Sequence, residues 1–76
     1  MDDNTRRIKI NLVGNLKKYR AKLGLTQEKA TENADIAVRY WQRLEMISQK
    51  DLPSLQMLAK IADTLKAPAW KLFKTS

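Results

Sequence analysis

"TQEKATENADIAVRYWQRLE", residues 26–45, is the stretch whose reading decides the fold. Thr26 suits the start of a short helix over roughly Gln27–Asn33, because its hydroxyl accepts an unpartnered backbone N–H; the capping box is incomplete, since Lys29 stands where Glu or Gln would reach back. A turn near Ala34–Ile36 then leads into a second helix over about Val38–Met46. On that helix Arg39 and Arg43 stand one turn apart on one face, while Trp41 and Leu44 point away from them. No acidic residue lies between Asp35 and Glu45, so both arginines are expected to stand bare.

On the N-terminal side, Leu12, Leu16, Tyr19 and Leu23 recur at i, i+4, i+7 and i+11, which predicts a helix from Asn11 or Leu12 to Leu23. Gly24 stops it in the C′ position. Residues 1–10, with Arg6, Arg7 and Lys9, form a basic arm expected either to follow a groove or to stay disordered. On the C-terminal side, "ISQKDLP" is a loop, because Pro53 disfavours a helical residue before it. Leu55, Leu58, Ala59, Ala62 and Leu65 then mark an amphipathic helix, opened by Pro53 and Ser54. Pro68 opens a last short helix, "AWKLF". The expectation is an all-α, five-helix domain over residues 11–74.

At 76 residues the core is modest and leaves little room for an enclosed substrate cavity. The chain has no cysteine and no histidine, which removes thiolate and imidazole chemistry together. Neither paired carboxylates nor a Gly-rich phosphate loop is present, so no enzyme, metal, cofactor or small-molecule substrate is expected. The first ten residues lack the apolar run of a secretion signal, and no run is long enough for a membrane span; a cytoplasmic location is expected. The net charge is +7, with 15 Lys and Arg against 8 Asp and Glu. A field of that sign attracts polyanions, nucleic acid foremost. Residues 26–50 balance four basic against four acidic side chains, yet two of the positives fall in the stretch 39–43.

Two short helices joined by a tight turn are the arrangement that offers a helix to the DNA major groove. Trp41 and Leu44, helped by Ile36, would anchor the second helix, leaving Val38, Arg39, Gln42 and Arg43 outward. The arginine fork bonds guanine O6 and N7 together, glutamine pairs adenine in the same way, and valine touches a thymine methyl.

The chain resembles the phage Cro/repressor-type (XRE-type) helix-turn-helix regulators over about residues 12–73. "LKKYRAKLGLTQEKA", "WQRLE" and "LPSLQMLAKIADTLKAPAWKLF" carry the resemblance. It implies a lambda-repressor-like domain and a transcriptional regulator, a repressor in the first instance with activation equally compatible with the fold, bound as a homodimer to a palindromic operator in double-stranded DNA. It also implies that Gln27 meets a backbone phosphate and that Val38, Arg39 and Arg43 read bases, with Ala37 and Gln42 beside them. Arg20 and Glu45 would form a structural ion pair. Apart from the resemblance, Lys17, Lys18, Lys22 and Lys50 are either phosphate contacts or solvated side chains. Trp70 and Phe73 either complete the core or form a dimer interface. The departures are Thr31 for the usual Ala, Asp35 for the turn Gly, and Ala37 for a capping Ser or Thr. Trp41 replaces a branched aliphatic residue and Ala30 a leucine, which together read as a volume exchange. The alternative is a protein-interaction module of the same fold, an antitoxin-like partner.

Overall fold

The computed structural model describes residues 2–75. Four α-helices, α1 (Asp3–Leu23), α2 (Gln27–Ala34), α3 (Val38–Leu44) and α4 (Leu55–Leu65), are followed by a 3-10 helix over Ala69–Phe73. There is no strand among the described residues. The last element is therefore a tighter turn than the fifth α-helix expected from "AWKLF".

The largest departure from expectation is at the start. α1 begins at Asp3, two turns before Asn11, so the supposed arm is part of the helix. Asp2 caps it, its carboxylate accepting the Thr5 N–H at 2.8 Å. The extra turns hold because Lys9 continues the stripe of Leu12, Val13 and Leu16 at i, i+3, i+4 and i+7, and is itself buried. A charged residue on a core stripe reads as surface in the sequence. At about 1.5 Å per residue the 21 residues of α1 span roughly 31 Å, so this one helix accounts for the molecule's 32 Å long axis.

α1 ends at Gly24, in the left-handed region at φ 67°, with its own N–H and that of Leu25 donated back to Ala21 and Arg20. Thr26 caps α2 by accepting the Lys29 N–H at 3.0 Å. Thr31 is tolerated inside because its hydroxyl donates to the carbonyls of Gln27 and Glu28 one turn back. Three residues, 35–37, join α2 to α3, and Asp35 bears the left-handed conformation there at φ 56°. Ala37 opens α3 with no side-chain cap, as its short side chain requires.

The core draws on every element: Leu12 and Leu16 of α1, Ala30 and Ala34 of α2, Trp41 and Leu44 of α3, Ile61, Ala62 and Leu65 of α4, and Leu72. Ala30 and Trp41 are both fully buried in this one cluster, consistent with small and large side chains sharing its volume. Three residues of the expected stripes lie outside it, Leu23, Leu55 and Ala59. Leu23 ends α1 facing solvent, and Leu55, at the first position of α4, is 85% exposed. The stripe of α4 meets the core at Leu58, Ala62 and Leu65, while Ala59 is exposed. Asn15, buried on α1, ties down the C-terminal segment by donating its amide to the carbonyls of Leu72 (2.9 Å) and Lys74 (2.7 Å). Among the described residues no helix is long and apolar enough to cross a membrane.

Candidate nucleic-acid interface

α3 divides cleanly into two faces. Trp41 and Leu44 are fully buried, whereas Val38, Arg39, Gln42 and Arg43 are exposed, with Ala37 just ahead of them also exposed. One turn of helix thus presents two guanidinium groups and an amide to solvent while an indole fastens its back.

Its orientation is fixed by a knot around Glu45, the residue that ends the helix. Arg20 of α1 meets the Glu45 carboxylate with two parallel bonds, Nε to Oε2 at 2.7 Å and Nη2 to Oε1 at 2.8 Å, and donates a third N–H to the Leu25 carbonyl at 2.9 Å. The Trp41 indole N–H and the Gln27 amide, the latter at 3.1 Å, also donate to Glu45. Burial alone would raise the Glu45 pKa, but the hydrogen bonds from Arg20, Trp41 and Gln27 hold it below the ordinary carboxylate value. The Glu45 carboxylate in turn raises the already high pKa of Arg20. The ion pair expected from Arg20 and Glu45 is present, and it joins α1, the start of α2 and the end of α3.

Gln27 consequently sits differently from expectation. It opens α2, but one amide N–H turns inward to Glu45 rather than standing free for a phosphate. Its second N–H and its carbonyl oxygen are not used by that bond.

A second tie lies at the C-terminus of α3. The ammonium of Lys9 donates to the carbonyls of Arg43 (3.1 Å), Leu44 (3.0 Å) and Asp51 (2.8 Å). All three of its N–H groups are thereby matched, and a cation at the carbonyl end of a helix interacts favourably with the helix dipole. Desolvation lowers the Lys9 pKa, and the Asp51 carboxylate opposes that shift. Lys9 is expected in a basic arm that either follows a groove or stays disordered; it is instead an internal strut between α1, α3 and the following loop. Its spacing from Leu12, Val13 and Leu16 is the signal that would have found it.

The two arginines are not equivalent. Arg39 has no carboxylate partner among the described residues, as expected. Arg43 does have one: its Nη2 lies 2.8 Å from Asp51 Oδ2, so it is not bare. The partner comes from the loop, six residues beyond Glu45, where no helical periodicity points to it.

Lys50 is exposed next to this pair and lines a groove of about 420 Å³ with Arg6, Lys9, Ile10, Ile47 and Ser48. No acidic side chain lines that groove. Arg6 and Lys50 make the surface beside the α3 C-terminus basic from both the α1 side and the loop side.

Trp70 and Phe73 separate. Phe73 packs against the core, while Trp70 is 62% exposed, with the Lys71 ammonium 5.7 Å from its ring centre. Compared with models of known families, with characterised proteins and with solved structures, the chain matches none.

Proposed function

We propose that the chain is a sequence-specific, double-stranded DNA-binding transcriptional regulator, a repressor, that reads the major groove with α3. The observation that carries the reading is the division of α3: an indole and a leucine fully buried on one side, Val38, Arg39, Gln42 and Arg43 exposed on the other. A groove-reading helix needs this combination, since base discrimination requires side chains held at a fixed distance from a rigid body. The three-residue link from α2 to α3, the net charge of +7 and the resemblance to Cro/repressor-type helix-turn-helix regulators support it.

On this reading α2, the turn and α3 are a helix-turn-helix in a lambda-repressor-like domain. Arg39, Gln42 and Val38 meet base edges, Arg43 joins them, and Lys50 meets a phosphate. Gln27 serves the Glu45 knot first and reaches a phosphate only with its remaining donor. Two copies would bind half-sites about one helical turn apart, giving a palindromic operator, and occupancy would exclude polymerase. The exposed Trp70 is the side chain offered for the contact between copies; Phe73 belongs to the core.

Selection of bound sites from a random duplex pool tests the reading directly. It is expected to recover an inverted repeat whose half-sites contain a guanine that becomes degenerate when Arg39 or Arg43 is replaced by Ala. Each replacement should weaken binding by roughly 1–3 kcal/mol. Affinity should also fall steeply as salt rises, because phosphate contacts release counterions. A salt-insensitive chain that recovers no repeat is instead a protein-interaction module.

A further inference from the structure

Resting on the reading of α3 as a duplex-facing helix, we propose that Asp51 is a specificity-determining residue: it aims the Arg43 guanidinium at a guanine edge, with Lys9 holding both residues' backbones in place. Arg43 Nη2 meets Asp51 Oδ2 at 2.8 Å. That bond uses one of five guanidinium N–H donors and leaves the others for O6 and N7 of a guanine. A pair with one exposed partner contributes little to folding, and the Arg43 side chain is 52% exposed while that of Asp51 is 27% exposed, so the bond's consequence is orientation.

The loop that carries Asp51 has no regular structure between Ile47 and Pro53 and would on its own leave the carboxylate free to wander. Lys9 removes that freedom. One buried ammonium holds the Asp51 carbonyl at 2.8 Å and the Arg43 carbonyl at 3.1 Å, so the two residues are fixed relative to each other before any duplex arrives. The α1 extension that brings Lys9 here thereby reaches the reading surface. The same carboxylate repels phosphates and so lowers affinity for duplex of any sequence. Arg39 lacks such a partner among the described residues and adapts to its base, whereas Arg43 is pre-aimed.

The test uses the full chain and the duplex recovered by selection, together with single-base variants of it and a random duplex. Wild type is compared by fluorescence anisotropy with Asp51→Asn, Asp51→Glu, Arg43→Ala and the double variant. Asp51→Asn is expected to bind the random duplex a few-fold more tightly. It should also discriminate the Arg43-dependent guanine about tenfold less well, within the range a bidentate contact provides. Asp51→Glu should recover part of that discrimination, and in the Arg43→Ala background Asp51→Asn should leave base preference unchanged. Asp51→Ala keeps the backbone carbonyl used by Lys9 and should show the same loss, which covers a poorly folded Asn variant.

Full guanine discrimination in Asp51→Asn, with only a general gain in affinity, makes Asp51 a repulsive bystander and overturns the proposal. So does a loss of preference that persists without Arg43. Absence of any base preference in wild type overturns the reading of α3 as well, and that failure is visible before a variant is made.

Discussion

Glu45 receives hydrogen bonds from Arg20, Trp41 and Gln27, and its side chain is almost wholly buried. Replacing it with Ala leaves the Arg20 guanidinium and the indole N–H without their acceptor, and thermal or denaturant melts should show a loss of roughly 3–5 kcal/mol. The same knot makes stability depend on pH. A carboxyl whose pKa is lowered on folding contributes stability that is complete above its unfolded value, near 4.3, and is lost as pH falls through the folded value. Melting temperature should therefore fall steeply on acidification below about pH 4.3. Glu45→Gln should flatten that fall while lowering stability at neutral pH. Asp2, whose carboxylate is also held down by the Thr5 N–H, leaves the variant a residual slope. Lys9 belongs to the same scale: Lys9→Met strips three carbonyls of their donor and should lower stability by about 1–3 kcal/mol for the set, measured in the same melts.

Helix ends show where this sequence conflicts with its own fold. Asp35 and Lys66 hold left-handed backbone at φ 56° and 55°, a conformation that costs a non-glycine residue up to about 1–2 kcal/mol. Asp35→Gly should raise stability by up to about 1 kcal/mol, since an aspartate tolerates the region better than most residues. Ala37→Ser should add the missing cap of α3, worth about 1 kcal/mol in a denaturant titration. These two gains are read on opposite sides of one three-residue turn, so their sum tests whether they act independently. α1 shows the converse: Asp2 and Lys9 make structure of a segment whose composition reads as a basic arm.

For the molecule as a whole, charge is the property that bears on partners. A net +7 on a body with extents of 32 × 21 × 20 Å attracts polyanions whatever their sequence, and on the proposed reading the fixed groups on α3 convert attraction into choice. Trp70 provides the test of assembly. If the exposed indole joins two copies, Trp70→Ala should leave the melting temperature of the free chain nearly unchanged. It should also reduce the cooperativity of binding to a two-half-site duplex, seen by sedimentation or gel shift. Unchanged cooperativity places the contact between copies elsewhere.

Local physics sufficed for much of this protein. Periodic leucines and alanines, Thr26 and Ser54 as caps, Gly24 as a stop and Pro53 as a breaker act within a few residues, so the all-helical class and most helix boundaries could be read directly. The Arg20–Glu45 pair was legible only through resemblance. Three features depend on contacts that no single helix contains: the buried ammonium of Lys9, the inward turn of Gln27, and the pairing of Arg43 with Asp51 in the following loop. A charged side chain carries the same local signature whether it meets water, a carbonyl or a carboxylate. Only the packing of α1 against the end of α3 decides which of these each one meets.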